Sequence, residues 1–433
     1  MKSSPLSLRF TALMMLSAVF VIAASLPYNA QPRLIGKFPF QTSAFCSLFP
    51  NTSSVSSGAR GGAVKYDLLL SAFGFFETNV GVVVDIGAQL KNISAIQPRS
   101  ITKKMKWPNA ISGVPKEVLN TETPYIAIPD GFLVPGKGEG SVTLEPLLGG
   151  QSYAISDGKD WFYHRVQWVD MDKDGDLDIV TCKAQKPILE SSKGQLVWYA
   201  NPDDHSLTRP WTEHVLAAGP DVLFRMTNLS IAGEQKQKEI IVTAEYFNPR
   251  LRIFWSDSPK EDWSNPGMIK FRDIDKISAE EGAPFDVILA DVNGDENLDI
   301  VLTLSSNKNG SVVVYEFPSD FRSGVFKRHV IASGYKPVEG GPNSGAPGLL
   351  SLLPAKERNQ KPSIVVAGDD SGLVSLLEPI KPSSTDWTYK RTDILDVQKS
   401  RTGGICVGDV DGDGRQEIFA SSYNEGLVYV YQV

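Results

Sequence analysis

The chain has 433 residues, of which 42% are hydrophobic and 21% are charged, and its formal net charge is −7. This length allows a large packed core, and the 37 glycines and 28 prolines favour a chain of many short strands and turns. Because the chain is acidic and contains no block of lysines or arginines, nucleic acids and anionic membranes are not expected among its partners.

The first 25 residues have the pattern of a secretory signal peptide. Lys2 and Arg9 precede the apolar run Phe10–Ala24, which is too short for a typical membrane-spanning helix. We expect residues 1–25 to be cleaved, the product to be secreted or held in the secretory lumen, and no membrane span to remain. An uncleaved anchor is the alternative. A glycoprotein is consistent with four N-x-S/T sequons, at Asn51, Asn92, Asn228 and Asn309.

The cysteines are too few for a disulfide framework. There are three, at Cys46, Cys182 and Cys406, so at most one disulfide can form. We interpret them first as small buried hydrophobic side chains. The sequence leaves open whether any two of them are bonded.

A nine-residue acidic motif occurs at 170–178, 291–299 and 409–417. Oxygen-bearing side chains fill its positions 1, 3, 5 and 9, as suits calcium, which takes roughly six to eight oxygen ligands. Position 7 varies in type and is expected to offer its backbone carbonyl. An EF-hand is excluded because position 12 holds no glutamate. The predicted ligands are Asp170, Asp172, Asp174, Asp176, Asp178, Asp291, Asn293, Asp295, Asn297, Asp299, Asp409, Asp411, Asp413, Arg415 and Glu417.

A set of acidic turns without an ion is the alternative, which repulsion among four like charges disfavours. The 291–299 copy is the weakest, because Asn293 is a neutral ligand and Glu296 stands where a glycine would ease the turn. These ligands would nearly fill the calcium shell, so we expect a structural role for the ion.

The three loops resemble those of the FG-GAP/VCBS repeat family, which includes the β-propeller repeats of integrin alpha chains. In that family the loop joins the first and second strands of a blade. The resemblance covers the loops well and the rest of the chain only diffusely. It implies a propeller in which the loops lie on one face and the binding surface on the other.

Two internal markers predict seven units. The loops start 121 (291 − 170) and 118 (409 − 291) residues apart, which is about two units each. A turn followed by an alternating strand recurs every 54–62 residues, at Gly81, Gly140, Gly194, Arg250, Gly310, Gly372 and Gly426. With four short strands per unit, residues 30–433 are predicted to form an all-β, seven-bladed β-propeller of four-stranded antiparallel blades. The last unit lacks a strand, so we expect the segment near Arg33–Phe40 to close the ring.

The connections that enter the inner strands differ from one another, which favours one asymmetric pocket over the central funnel. They are Asp157–Arg165, Ala217–Arg225, Ile277–Asp286, Ser333–Gly348 and Asp396–Gly403. We predict His164 as a general acid or base, with Arg225 or Arg401 holding an oxygen. The predicted ligand-binding residues are Trp161, Tyr163, Arg165 and Tyr335. The alternative is that Trp161 and Tyr163 fill the space between blades and that His164 bonds nearby backbone.

The segments Leu196–Pro202 and Trp211–Val215 resemble repeats in the propeller part of aldos-2-ulose dehydratase. That resemblance implies an enzyme acting on an oxygenated small molecule, as a lyase, isomerase or cyclase, including Diels–Alderase-like cyclisation by analogy of fold alone. The alternatives are a non-catalytic extracellular module that binds a glycan or protein, and a structural matrix protein. The sequence does not determine the ligand or the oligomeric state.

Overall fold

A computed structural model describes residues 31–50, 64–73, 79–131, 139–156, 160–187, 190–339, 344–355, 357 and 360–433. The predicted signal peptide and the sequon at Asn51 lie outside the described residues. The described part of Gln31–Val433 forms one compact unit. No described helix is long and apolar enough to cross a membrane.

The described residues form seven four-stranded antiparallel sheets, as predicted. The chain begins with β1 (Arg33–Pro39). Blade 1 then contains β2 (Ser43–Pro50), β3 (Tyr66–Ala72), β4 (Val80–Val83) and β5 (Arg99–Thr102). Blade 2 contains β6 (Ser112–Gly113), β7 (Tyr125–Pro129), β8 (Val142–Pro146) and β9 (Tyr153–Ala154). Blade 3 contains β10 (Phe162–Val169), β11 (Asp178–Gln185), β12 (Lys193–Ala200) and β13 (Thr212–Ala218).

The remaining blades repeat this order. Blade 4 contains β14 (Leu223–Leu229), β15 (Lys238–Glu245), β16 (Arg250–Ser256) and β17 (Ile269–Lys276). Blade 5 contains β18 (Ala283–Ala290), β19 (Asp299–Ser305), β20 (Gly310–Glu316) and β21 (Lys327–Tyr335). Blade 6 contains β22 (Leu350–Leu353), β23 (Ser363–Ala367), β24 (Leu373–Pro379) and β25 (Tyr389–Asp396). Blade 7 contains β26 (Thr402–Gly408), β27 (Glu417–Ser422) and β28 (Leu427–Gln432).

The N-terminal strand completes blade 7, which confirms the predicted ring closure. β1 pairs antiparallel with β28, and Phe38 faces Val428 across the pair. Phe38 and Val428 are both buried, in a cluster shared with β3 of blade 1. β1 and β28, which are far apart in sequence, therefore lie in one sheet, and β1 covers the edge that β28 would otherwise expose.

The second strand of each blade is buried on both faces because neighbouring blades pack against it. All residues of β19 are buried, and the run Ile300–Thr303, in which three of the four residues are β-branched, suits that position. Ile300 and Leu302 of blade 5 share one apolar cluster with Ile240 and Val242 of blade 4. Burial of this kind, repeated between blades, accounts for the apolar second strands of the blades.

Helices are confined to short connections. α1 (Ile86–Gln89) and a 3-10 segment (Leu90–Ala95) lie between β4 and β5, and α2 (Lys116–Leu119) lies between β6 and β7. A second 3-10 segment (Pro266–Met268) precedes β17. The sequence predicted no amphipathic helix, and none of these segments exceeds six residues.

Two histidines of the outer strands stack on tryptophans. His214 of β13 lies 4.2 Å from Trp198 between ring centroids, with the rings nearly parallel at 14°. His329 of β21 stacks on Trp387 in the same way, at 4.3 Å and 12°. Their equivalent places in blades 3 and 5 agree with a packing role.

Candidate functional site

The three acidic loops join the first and second strands of blades 3, 5 and 7, as the resemblance implied. The three loops also share the same pattern of backbone hydrogen bonds. The position-9 carboxylate accepts the N–H of position 2 in each loop, from Met171 to Asp178 (2.8 Å), from Val292 to Asp299 (3.1 Å) and from Val410 to Glu417 (3.1 Å). The position-1 aspartate accepts a backbone N–H from position 6 in each case.

Two of these loops gather carboxylates closely enough to hold a metal ion. The groups are Asp170, Asp172 and Asp178 in blade 3, and Asp409, Asp411 and Glu417 in blade 7. A second observation supports cation binding by these residues. The Asp170 Oδ1 atom is buried and has no hydrogen-bond partner within the described residues. An acceptor in that state is stabilised by a hard cation.

The side chains of the blade 5 loop make different contacts with one another. At its position 3, Asn293 is buried and donates its Nδ2 hydrogen to Asp295 at 3.1 Å. Burial raises the pKa of Asp299 to about 8, and neighbouring carboxylates add to the increase. At positions 1, 3, 5 and 9 this loop has three carboxylates, whereas the other two loops have four, in line with its weaker sequence motif.

A cavity of about 630 Å³ lies on the ring axis, at the end opposite the acidic loops. The loops follow the inner strands. The cavity residues lie just before or at the start of those strands, or at the hairpins between second and third strands. The lining residues come from all seven blades: Ala44, Phe45, Phe73, Trp107, Asn109, His164, Lys186, Ser192, Val222, Tyr246, Phe247, Phe285, Ser305, Gly345, Gly348, Leu349, Asp369, Asp370, Arg401, Thr402, Gly403 and Tyr423.

Aromatic rings form much of the cavity wall. Phe45 and Phe73 of blade 1 meet edge to face, with centroids 6.0 Å apart. Tyr246 meets Phe285 edge to face at 6.2 Å, across the junction of blades 4 and 5. The hairpin that carries Tyr246 is fixed by the buried carboxylate of Asp221, which accepts the Tyr246 N–H at 2.8 Å. Such walls bind apolar or C–H faces of a ligand.

One carboxyl in the cavity has an unusual environment. The Asp369 carboxyl has no side-chain hydrogen-bond partner within the described residues, whereas Asp370 accepts the Gly345 N–H at 2.9 Å and a hydrogen bond from Arg401. Burial raises the pKa of Asp369 to about 7; the Asp370 charge adds to the increase and Arg401 opposes it. Both protonation states of Asp369 are therefore populated near neutral pH.

Asn109 offers a second unsatisfied group at the cavity. Its Nδ2 atom donates to the carbonyls of Gly131 (3.0 Å) and Tyr163 (2.8 Å), which fixes the orientation of the amide. Its Oδ1 atom is buried and finds no partner in the part of the chain that is described. A ligand hydroxyl or amine could donate to this oxygen.

His164 lines the cavity, as predicted, but in a neutral form. Burial lowers its pKa to about 3, and the positive charge of Arg165 adds to the decrease. Its ring packs edge to face on Phe162, with centroids 5.2 Å apart. An imidazole with so low a pKa is neutral at neutral pH and has no imidazolium proton to transfer, which does not favour the predicted acid role.

Two of the predicted arginines lie on inner strands near Asp286 and do not line the cavity. Arg165 donates to the buried Asp286 Oδ1 at 3.1 Å. Burial lowers the pKa of Arg225 to about 9, and repulsion from Arg165 adds to the decrease while Asp286 opposes it. Arg401 alone of the three predicted arginines lines the cavity.

The predicted aromatic ligand-binding residues lie between blades. Tyr163 is fully buried, and its hydroxyl oxygen lies 3.2 Å from that of Tyr199. Trp161 packs beneath the Lys183 ammonium, 4.5 Å from its ring centroid. Tyr335 ends the outer strand β21 and is fully buried under Arg391. These places match the alternative interpretation, in which the rings fill the space between blades.

Sequence reasoning did not single out Asp369 or Asn109. Asp369 lies in the turn Gly368–Gly372 between β23 and β24, on the cavity face, and adopts a left-handed backbone with φ of 51°. Two adjacent aspartates in a turn on that face were the available signal. Asn109 precedes the short strand β6, where no sequence pattern distinguishes it.

The fold and its site define a seven-bladed β-propeller with an axial cavity at one end and acidic loops at the other. No protein-family model and no curated protein matches the chain. Membership of the FG-GAP/VCBS family therefore stays a prediction based on the loops.

Some solved structures are similar to the chain at low sequence identity. The GH93 alpha-L-arabinofuranosidase of Fusarium graminearum with arabinobiose is 14% identical over 75% of this chain and 92% of that chain, with a TM-score of 0.42. The polysaccharide lyase Uly1 is 12% identical over 92% and 99%, with a TM-score of 0.41. Drosophila Plexin A in complex with Semaphorin 1b is 8% identical over 93% and 87%, with a TM-score of 0.38. At these values the likenesses carry no argument about activity.

Proposed function

We propose that the protein binds a hydroxylated small molecule in the axial cavity and that Asp369 moves a proton on it, in a reaction of the lyase, isomerase or cyclase type. The observation that carries this proposal is the Asp369 carboxyl, which lines the cavity without a side-chain partner in the described chain and has a pKa of about 7. A group with that pKa can take up and release a proton at neutral pH.

Arg401 supports the reaction step. Its Nε–H is held by Asp370, which fixes the guanidinium at the cavity, and its side chain is 57% exposed. When Asp369 removes a proton next to a carbonyl, negative charge develops on the carbonyl oxygen. The remaining N–H groups of Arg401 are suited to stabilise that oxygen.

Asn109 and the aromatic wall support the choice of ligand class. The Asn109 Oδ1 atom can accept a hydrogen bond, but no donor in the described residues reaches it. A ligand hydroxyl could supply that hydrogen bond. Phe45, Phe73 and Phe285 can pack against the C–H faces of a sugar-like ring. A cavity of about 630 Å³ is within the size range of small-molecule sites.

We further propose that calcium binds the loops of blades 3, 5 and 7 and stabilises the ring without taking part in the reaction. The ligand sets in blades 3 and 7 are oxygen-only, as calcium prefers. These loops and the cavity lie at opposite ends of the inner strands. The ion would therefore stabilise the fold, and the cavity residues alone would contact the substrate.

Secretion and glycosylation are part of the proposal. The three sequon asparagines within the described residues, Asn92, Asn228 and Asn309, are all exposed, so glycans could be accommodated. Treating protein from a eukaryotic secretory host with an endoglycosidase should reduce its mass. An unchanged mass would remove glycosylation from the proposal.

Metabolite profiling with matched variants tests the reaction. A metabolite extract is incubated with the wild-type protein, with Asp369→Asn and with Asp203→Asn, an exposed aspartate of blade 3. The wild type and Asp203→Asn should consume one compound and form a product, with a rate that changes around pH 7, and Asp369→Asn should form none. Bound compounds are then released from all three proteins and identified. A retained glycan or peptide without any product would favour the non-catalytic binding module instead.

A further inference from the structure

The junction between blade 7 and blade 1 is unusually close at the inner strands. A Cβ atom placed on Gly404 of β26 would lie 2.8 Å from the Phe45 Cα and 2.9 Å from the Cys46 N of β2. Only a glycine leaves room for the two backbones at this separation. The Ser43 hydroxyl also donates to the Ser421 hydroxyl at 2.8 Å across the same junction, in a buried position.

Two of the three cysteines meet at this junction. The Cys46 Sγ atom of β2 lies 3.7 Å from the carbonyl oxygen of Phe419, and Phe419 is the register partner of Cys406 in blade 7. Cys406 lies in β26, two residues after Gly404, and after burial the neighbouring Cys46 thiol adds to the raised pKa of the Cys406 thiol. Both belong to one apolar cluster, which also contains Phe38 of the closing strand.

We propose that Cys46 and Cys406 form a disulfide that ties the inner strands of blades 1 and 7 together. The two sulfur atoms must come within about 2.05 Å of each other, which a change of side-chain rotamers can supply where the two inner strands are as close as they are at Gly404. Cys182 lies buried in blade 3, in a separate cluster, and is left as a free thiol.

The oxidant is a low-molecular-weight disulfide of the glutathione class. A Cys46 thiolate attacks it, forms a mixed disulfide and releases one thiol. A Cys406 thiolate then attacks the Cys46 sulfur, which forms the protein disulfide and releases the second thiol. Two protein thiols are oxidised, one small disulfide is reduced to two thiols, and the two protons pass to the released thiolates.

The bond forms most readily before the junction is packed. Burial raises the pKa of the Cys406 thiol well above its ordinary range, so the folded protein holds very little of the reactive thiolate. During folding this thiol is exposed and titrates normally. We therefore expect slow oxidation of the native protein and efficient oxidation during refolding.

The closed disulfide would link positions 360 residues apart (406 − 46) and so restrict the unfolded chain strongly. It also supports one wall of the cavity, because Phe45 and Gly403, next to these strands, are lining residues. Closure by β1 and closure by the disulfide would then act at the outer and inner edges of the same junction.

Thiol counting after refolding tests the proposal. The protein is first unfolded and reduced, and it is then refolded in a buffer of oxidised and reduced glutathione. The product is alkylated under denaturing conditions and its mass is measured by mass spectrometry. Wild type should retain one alkylated cysteine, Cys182→Ser none, and Cys46→Ser and Cys406→Ser should show no internal bond. Peptide mapping of the wild type should find Cys46 linked to Cys406.

The melting temperature provides a second measurement. The oxidised wild type and oxidised Cys182→Ser should melt a few degrees above their reduced forms, whereas Cys46→Ser should respond little to reductant. Three alkylated cysteines in wild-type protein that has refolded in the glutathione buffer, or a bond that includes Cys182, would overturn the proposal.

Discussion

The guanidinium of Arg401 donates its Nε–H to Asp370, while the adjoining Asp369 carboxyl stays without a side-chain partner in the described structure. The two carboxyl groups thus differ in role although they are neighbours in sequence. Asp370 holds the cation in place, and Asp369 is left to face the cavity with a pKa of about 7. Asp369 gains a proton more easily because its negative neighbour is close and its surroundings are poorly solvated.

Replacing Arg401 should alter both the rate and the pH dependence of the proposed reaction. Arg401 lowers the pKa of Asp369, so Arg401→Ala should move the midpoint of the pH–rate profile upward from about 7. Loss of a group that stabilises developing charge should also reduce kcat by about tenfold or more. Arg401→Lys should retain the midpoint better than the rate. A midpoint that stays fixed in Arg401→Ala would contradict the assignment of that titration to Asp369.

His164 should remain neutral well into the acidic range. Its folded pKa of about 3 lies below the ordinary value of 6.5, so the unfolded chain binds the additional proton between these limits. The free energy of unfolding should therefore fall as the pH drops from about 6.5 towards 3, by up to about 1.4 kcal/mol per pH unit from this group.

Two measurements check this expectation. Proton NMR of the four histidine rings should show one that does not titrate down to about pH 4, and that signal should be missing in His164→Gln. The stability of His164→Gln should fall less steeply with acid than that of the wild type. A titration of His164 near pH 6.5 would show that its ring is solvated in the folded protein.

Removing calcium should lower stability. An ion that binds only the folded state contributes about 2.7 kcal/mol per site at one hundred times its Kd. A chelator should therefore lower the melting temperature, and Asp170→Asn should lower it in added calcium and weaken the response to chelator. Glu190→Gln, an exposed charge outside the loops, serves as the control. An identical melting temperature with and without chelator after prolonged dialysis would rule out a stabilising ion.

The loop of blade 5 should accept a stabilising glycine. Glu296 occupies position 6 with a φ of 68°, in the left-handed region, whereas Gly175 and Gly414 fill the equivalent places in blades 3 and 7. Relief of that backbone strain should outweigh the added freedom of the unfolded chain, so Glu296→Gly should raise the free energy of unfolding by about 0.5–1 kcal/mol.

Urea unfolding checks the direction. Glu280→Gly, an exposed site without a left-handed backbone, should instead lower stability, as glycine does where another residue fits. If both variants lose stability to the same extent, the strain assigned to Glu296 is absent.

The architecture was predictable because its signals are local and repeated. Alternating carboxylates mark the turns after β10, β18 and β26, and the runs after them must be apolar throughout because blades cover both faces. The closing strand followed from a missing fourth strand in the last unit. The sequence alone thus predicted the number of blades and the place of the cavity.

The chemistry of the cavity depends on burial, which no local pattern reveals. Tyr163 and Tyr335 were placed in connecting loops, yet Tyr163 lies near the start of β10 and Tyr335 at the end of β21, and each packs at a junction between blades. His164 does reach the cavity, but the low dielectric around it removes its charge. For Asp369, burial beside another carboxylate raises the pKa to about 7, so the protonated and ionised forms are both present at neutral pH.

The axial cavity is lined by residues from each of the seven blades, so no single blade forms the binding site by itself. A proteolytic fragment that lacks even one blade would present an open trough to the solvent. Ligand binding would then require the complete ring of seven blades. A saturating concentration of ligand should therefore protect the ring from unfolding and from proteolysis. The protein's recognition of its ligand and its resistance to degradation would consequently rise and fall together.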